Sequence, residues 1–194
     1  MTLAVPNPRT GLNEHWLTFD EFLRLADEGA FGSSEHLELI DGRVIDLAPI
    51  GQAHGAGTFD AAYTIRRVLE RTGLDARLRV YSPVTLRISR TRAPQPDILV
   101  AHRSAQSWVT PDITELVVEY TVTTHEYDLG QKPGIYAAAG VAEYWVIDRP
   151  ARRLHVFRAP EGGTYTDIGG PLSEEDTIFP LFAPDLAIPV ADLL

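Results

Sequence analysis

The stretch LVVEYTVTTHEYDLGQKPGIYAAAG, residues 116–140, joins a strand pattern to a helix pattern and carries two charged residues that need explaining. Alternation along LVVEYT places Glu119 on the same strand face as Val117, and a carboxylate on an apolar face is costly unless it is paired or binds a metal. The second is Lys132, the only lysine among 17 Lys and Arg residues. Because Pro133 disfavours helical geometry at the residue before it, Lys132 is predicted near a helix N-terminus, pointing back toward the sheet ends.

The segments around this stretch predict an α/β fold. Capping chemistry, apolar periodicity and turn residues define the elements. They are a capped helix from Thr18, a hairpin around Asp41-Gly42, a helix from Gln52 to Thr72, strands at 77–88, 97–101 and 115–121, a helix at 130–139, and strands at EYWVID and RLHVFRA. This order predicts a mixed β-sheet core flanked by helices, with residues 159–175 as a surface excursion of the same domain.

Length and composition limit the classes of protein that fit. A chain of 194 residues with 44% hydrophobic residues suits one domain, predicted over residues 15–194, after a disordered segment over 1–14 that is rich in Pro, Asn and Gly. No run approaches the about 18 apolar residues of a membrane span, and no signal peptide pattern opens the sequence, which predicts a cytoplasmic protein. The absence of cysteine excludes disulfides, thiolate nucleophiles and Cys-type zinc sites.

The net charge of −10 argues at first against a polyanionic partner. The acidic residues are unevenly distributed, however. Residues 159–194 contain seven Asp or Glu and no Lys or Arg, which leaves 17 basic against 20 acidic residues, a net of −3, in residues 1–158. The acidity is therefore largely a C-terminal property, and nucleic-acid binding by the remainder stays open.

Three carboxylates lie on or beside predicted core elements. Glu38 precedes Leu-Ile-Asp-Gly in the hairpin, Asp97 opens the strand after Gln95-Pro96, and Glu119 interrupts its apolar strand. Singly, Glu119 could pair with an arginine of a neighbouring strand and Asp97 could cap the turn that precedes it. As a set, two carboxylates at strand ends followed by a lysine are what an Mg²⁺- or Mn²⁺-dependent phosphodiester hydrolase needs.

Lysine suits such a site because its ammonium is a compact point charge, whereas the broader guanidinium fork of arginine suits clamping a whole carboxylate or phosphate. The alternative interpretation of Lys132 is a chance lysine on a solvated helix face. Other chemistry is poorly supported. GQAHGAG, residues 51–57, has the wrong spacing for a dinucleotide or Walker loop, and neither H-E-x-x-H nor G-x-S-x-G occurs.

Several segments together resemble a known family. ELIDGRVIDLAP, a histidine near the next helix start, QPDILV, VVEY, DLGQKPGIYAAAGVAEYWVID and the closing LFAPDLAIPVADLL resemble the Uma-two family of restriction endonucleases, in the PD-(D/E)XK nuclease superfamily. The resemblance runs in order from Thr18 to the C-terminus. It implies a restriction-endonuclease-like core, cleavage of DNA phosphodiester bonds with Mg²⁺ or Mn²⁺, and often a homodimer. By position, Asp97 and Glu119 are the implied metal ligands. Glu38 is the implied helper carboxylate, and Lys132 the implied catalytic lysine.

The sequence departs from the usual pattern in two places. A standard strand would carry its lysine two residues after Glu119, where this chain has Thr121. The family variant with the lysine on the following helix matches Lys132. The loop after the glutamate usually reads serine-proline-serine, whereas residues 122–125 here are Val-Thr-Thr-His, about one residue shorter. These differences bear on where Lys132 lies relative to the strand.

Three further residues are candidates for substrate contact or support of the site. His54 matches a frequent family histidine, with a helix-start histidine hydrogen-bonded to backbone as the alternative. Gln95 is a candidate to orient Asp97 or the substrate. Tyr136 lies one turn after Lys132 and shares its helix face, where packing beside the sheet is the alternative role.

Three functional hypotheses remain from the sequence. The first is a metal-dependent DNA endonuclease. The second is a catalytically inactive protein on the same fold that binds nucleic acid or a protein partner. The third is a metal-free structural or interaction domain. Metal binding separates the third from the first, and cleavage of DNA separates the first from the second.

Overall fold

The computed structural model describes residues 3–6, 13–32 and 36–194. The chain forms two compact units, each described here by itself. The first comprises Met1–Pro49 and Thr85–Gln95, and the second comprises Ile50–Val84 and Pro96–Leu194. The single domain expected over residues 15–194 stays a prediction.

The first unit consists of two strand pairs and a helix. Its elements are β1 (Leu3–Pro6), β2 (Asn13–Trp16), α1 (Phe19–Asp27), β3 (Leu37–Ile40) and β4 (Arg43–Asp46). β1 pairs antiparallel with β2, so part of the segment expected to be disordered forms strands, while residues 1–2 and 7–12 lie outside the described residues. The capping box of Thr18 and Glu21 is confirmed. The tight hairpin turn between β3 and β4 is confirmed by positive φ angles at Asp41 (50°) and Gly42 (74°).

The second unit is built on a six-stranded mixed sheet in the order β10-β9-β8-β7-β6-β5. Its strands are β5 (Leu78–Tyr81), β6 (Ile98–His102), β7 (Thr114–Thr121), β8 (Glu143–Asp148), β9 (Arg153–Glu161) and β10 (Thr164–Ile168), with a small separate pair, β11 (Thr177–Ile178) and β12 (Ile188–Pro189). Its helices are α2 (Gln52–Thr72), α3 (His125–Gly130) and α4 (Lys132–Ala138). β7 and β8 are parallel, and the other neighbouring strands of the sheet are antiparallel. The predicted α/β fold with a mixed sheet and flanking helices is confirmed.

The parallel pair explains how the deciding stretch is placed. Parallel neighbours need a crossover connection, and α3 and α4 supply it between β7 and β8. Both faces of the sheet are covered. On one face, Ala61 and Ile65 of α2 belong to a buried cluster with Val118 and Tyr120 of β7. β7 is buried at almost every position because it is a central strand with covered faces.

Sequence expectations differ from the structure at three places. The strand predicted over 77–88 ends at Tyr81, and Pro83, which has no backbone N–H to donate, follows shortly after. The helix predicted over 130–139 is two short helices, α3 and α4, the first beginning earlier at His125. The surface excursion expected over 159–175 contains the edge strand β10, which pairs with β9 across a turn with positive φ at Gly162 and Gly163.

Among the described residues, no helix combines the length and the apolar composition that crossing a membrane requires.

Gly57 in α2 lies against Tyr120 of the central strand, and we expect this position to tolerate no side chain. A Cβ at Gly57 would lie 2.0 Å from the hydroxyl oxygen of Tyr120 and 2.2 Å from its Cζ. Gly57→Ala is therefore expected to destabilise the protein by about 1–3 kcal/mol through overpacking. Urea unfolding followed by circular dichroism measures this change.

The matched control is Gly55→Ala in the same helix, where the nearest atom to a new Cβ is 3.5 Å away. There the higher helix propensity of alanine should stabilise the protein by up to about 1 kcal/mol. Equal effects of the two substitutions would contradict the close approach of α2 to Tyr120.

Candidate active site

Glu119 lies in the buried central strand β7, with 2% of its surface exposed. Its Oε1 accepts hydrogen bonds from the Tyr136 hydroxyl at 2.7 Å and from Lys132 Nζ at 2.9 Å. The arginine partner that the sequence left open for Glu119 is thus replaced by the single lysine of the chain. Both donors come from α4, so the crossover between β7 and β8 supplies the groups that hold this carboxylate.

Lys132 is the first residue of α4, as the following proline predicted. Only 3% of its surface is exposed, so the interpretation as a chance lysine on a solvated helix face is wrong. Its Nζ also lies 3.4 Å from Oδ1 of Asp128 and 5.1 Å from the centre of the Tyr127 ring. A buried ammonium requires compensating charge, and Glu119 and Asp128 supply it.

Asp97 stands directly before β6 and is 9% exposed. Its Oδ2 accepts the backbone N–H of Tyr120 at 2.7 Å and faces His54 Nε2 at 3.2 Å. The side chain therefore binds the neighbouring strand instead of capping the turn after Pro96. Because Tyr120 directly follows Glu119, the two carboxylates are held at the same place along adjacent strands. No described residue donates a hydrogen bond to Oδ1 of Asp97.

His54 lies near the start of α2, and its contact is with Asp97 rather than with backbone alone. The hydrogen bond to Asp97 raises the pKa of His54 above 6.5, against the opposing effect of burial. The ring also packs edge-on against Tyr120, with centroids 5.6 Å apart. Its Nδ1 is buried without a hydrogen-bond partner among the described residues. His54 therefore places positive charge beside Asp97 when it is protonated.

The His54–Asp97 contact predicts a pH-dependent stability. Since folding raises the pKa of His54, its contribution is fully present below the unfolded pKa near 6.5 and is lost as pH rises through the folded pKa. His54→Gln should therefore cost more free energy of unfolding at about pH 5 than at about pH 8. Chemical denaturation of both proteins at both pH values measures the difference.

The matched control is His155→Gln in β9. Burial lowers the pKa of His155 in spite of nearby Asp148, so its contribution is present above 6.5 and is lost as pH falls. The cost of this second substitution should thus grow with rising pH. A common pH trend for the two variants would refute the assigned contacts.

Asp128 was missed by the sequence reasoning and is part of the same buried group. It lies in α3, is 3% exposed, and its Oδ2 accepts the hydroxyl of Thr124. The available signal was its spacing, since residues four apart on helical backbone lie on one side and Asp128 precedes Lys132 by four. Propensity alone gave no reason to prefer Asp128 over the other acidic residues of the loop.

Glu38 and Gln95 belong to the first unit and contact each other there. Glu38 is fully buried in β3, and its Oε1 accepts the backbone N–H of Gln95 at 3.0 Å. The side-chain Oε1 of Gln95 is buried without a hydrogen-bond partner among the described residues. A helper role for Glu38 and an orienting role for Gln95 remain predictions.

Tyr136 does both things that the sequence left open. Its ring packs 4.9 Å from the ring of Tyr144, and its hydroxyl donates to Glu119. The structure thus brings Glu119, Lys132 and Tyr136 into direct contact, and Asp97 with His54 lies beside the next residue of β7.

The donor set fits a hard divalent cation bound by few protein ligands. In the part of the chain that the structure describes, no group of three or more Asp, Glu, His or Cys side chains is arranged to hold a metal. Mg²⁺ nevertheless commonly binds through one or two carboxylates and keeps several waters. Oδ1 of Asp97 carries no hydrogen bond from the described residues, and the buried pair Glu119 and Asp128 faces a single ammonium. This excess of negative charge attracts a cation.

A model of the Uma2 family, whose description is "Putative restriction endonuclease", matches residues 19–191 of this chain. The chain belongs to the Uma2 family. The crystal structure of a "putative nuclease belonging to DUF820" from Anabaena variabilis ATCC 29413 has the same fold, with a TM-score of 0.69. It is 18% identical in sequence, and the match covers 91% of this chain and 97% of that chain. No curated protein matches the chain. The family resemblance read from the sequence motifs is thereby confirmed, and the Uma2 match includes Asp97, Glu119 and Lys132.

Proposed function

We propose that this Uma2-family protein is a metal-dependent endonuclease that hydrolyses phosphodiester bonds in DNA with Mg²⁺ or Mn²⁺. The observation that carries the proposal is the buried group formed by Asp97, Glu119 and Lys132. Asp97 is bound to the backbone of the residue after Glu119, and Glu119 is bound to Lys132. Burying two carboxylates and an ammonium together is costly for stability, so a chemical role is a physical reason to retain them.

In this proposal Asp97 and Glu119 hold the cation, which supplies Lewis-acid stabilisation of charge on the phosphoryl group. The ammonium of Lys132 adds positive charge fixed in advance, and a preorganised charge costs no reorganisation when negative charge develops on the phosphate. Tyr136 fixes the orientation of Glu119 through its hydroxyl, and His54 fixes that of Asp97. Glu38 is proposed as a helper carboxylate from the first unit.

The second candidate is a protein on the nuclease fold that binds nucleic acid or a protein partner without cutting. The observation that favours it is the occupancy of Glu119 Oε1, which accepts both the Tyr136 hydroxyl and the Lys132 ammonium. A cation must compete with that ammonium for Glu119. The form of DNA and a homodimeric assembly remain predictions in both cases.

Cleavage is tested on duplex, single-stranded and branched DNA with Mg²⁺ or Mn²⁺. We expect the wild type to cut at least one form, and Glu119→Gln to lower the rate by at least about 100-fold, as loss of one preorganised electrostatic group commonly does. Gel analysis of end-labelled substrates measures the rate.

The matched control is Asp75→Asn, which removes the same charge from an exposed residue of the second unit and should leave the rate unchanged. Undiminished cutting by Glu119→Gln would point to a contaminating nuclease. Binding of DNA without cutting in any form would favour the second candidate.

A further inference from the structure

Asp128 is held from both of its ends. Its side-chain Oδ2 accepts the hydroxyl of Thr124, and its backbone carbonyl accepts the hydroxyl of Tyr144 at 2.7 Å. The Thr124 hydroxyl lies in turn 3.3 Å from that of Thr121, at the end of β7. Since these anchors come from the central strands and from the turn between them, the carboxylate of Asp128 has a fixed position beside Lys132.

The ammonium of Lys132 lies between two carboxylates at unequal distances. It is 2.9 Å from Oε1 of Glu119 and 3.4 Å from Oδ1 of Asp128. Charge-assisted N–H···O bonds are typically about 2.7–2.9 Å long, so the hydrogen bond goes to Glu119 and the Asp128 contact is an ion pair without a short bond. The ammonium can move a short way from one carboxylate to the other without losing a buried counterion.

A cation that uses Glu119 creates a conflict for Lys132. Both carry positive charge, and both need the carboxylate that Lys132 and Tyr136 now share. Without a second partner, the ammonium would be repelled from the site and would lose its compensation for burial. Asp128 offers that second partner on the same ammonium, and its own anchors do not involve Glu119.

We propose that Asp128 is a positioning residue that retains the Lys132 ammonium at the site in both states. In the metal-free protein it shares the ammonium with Glu119. When a cation occupies Glu119, Asp128 becomes the main partner of Lys132. The second half rests on the proposed function, whereas the first half concerns the metal-free protein alone.

The single lysine of the chain makes this testable by NMR, because ¹⁵N-lysine labelling gives one side-chain ammonium signal. In the metal-free wild type, we expect slow exchange of the ammonium protons with water. Asp128→Asn keeps an acceptor for Thr124 but removes the charge, and it should speed this exchange by at least about tenfold, because a weakly held group opens to solvent more often. Asp75→Asn is the control and should match the wild type.

A merely structural role would predict a lower melting temperature for Asp128→Asn without a selective change at Lys132. Thr124→Val, which removes the hydroxyl that fixes Asp128, provides a second variant if Asp128→Asn folds poorly. It should speed exchange in the same direction. Exchange within twofold of the wild type in the folded, metal-free variants would overturn the proposal.

Addition of Mg²⁺ tests the second half. The wild-type signal should shift while exchange stays slow, and in Asp128→Asn the same addition should release the lysine into fast exchange. If the wild-type signal keeps its shift and calorimetry detects no Mg²⁺ binding, the proposed metal-dependent function and the second half are overturned together. The metal-free comparison decides the anchoring role on its own.

Discussion

Replacing Lys132 with methionine should destabilise the folded protein by about 3–5 kcal/mol, because removal of one partner leaves buried charge without compensation. The ammonium lies 2.9 Å from Glu119 and 3.4 Å from Asp128, and all three groups are buried. Methionine preserves most of the side-chain volume, so the lost charge and not a cavity dominates the effect. Urea denaturation measures the change, and DNA cleavage should be lost as well.

Two comparisons isolate the charge effect. Arg77→Met removes a cation from an exposed residue of the same unit and should change stability by less than about 0.5 kcal/mol. Combining Lys132→Met with Glu119→Gln should restore part of the loss, since the double variant carries one fewer uncompensated carboxylate. A loss below about 1 kcal/mol for Lys132→Met would show that the buried ion pair is not formed in solution.

Asp97→Asn should abolish Mn²⁺ binding measured by calorimetry. Replacement of an outer-shell partner already costs about 10–100-fold in metal affinity, and loss of a charged ligand should exceed that range. Asparagine retains an oxygen that can accept from Tyr120, so the strand contact of Asp97 is preserved while the charge is removed. The measurement requires no assumption about the DNA substrate.

The control for this prediction is again Asp75→Asn, which should bind Mn²⁺ as the wild type does. Equal affinity of wild type and Asp97→Asn would place the cation elsewhere and refute Asp97 as a ligand. Absence of Mn²⁺ binding by the folded wild type would favour the binding protein without catalysis.

Much of the fold could be predicted because its signals are local. The capping box at Thr18, the Asp41-Gly42 turn and the apolar spacing of α2 each depend on residues close together in the chain. The predictions that failed depended on distant parts of the chain. β10 reads as a polar surface segment, and it is a strand because β9 offers a free edge for pairing.

The candidate site divides in the same way. Strand alternation and a buried position identified Glu119, and the proline after Lys132 identified a helix start. No local pattern distinguished Asp128, because its role depends on where α3 lies against the sheet. The partner of Glu119 was likewise undetermined, since an arginine of any neighbouring strand was an equally good candidate from composition.

By itself, the sequence determined the element types, the family and the residues that carry the chemistry, because alternation, capping and turn preferences act over a few neighbouring residues. Only the tertiary structure decided which charges meet. His54 reaches Asp97 across 43 positions of the chain, and Asp97 reaches the backbone of Tyr120 across 23. Such contacts are fixed by the register of adjacent strands and by helix packing, which depend on the whole sheet and not on any one segment.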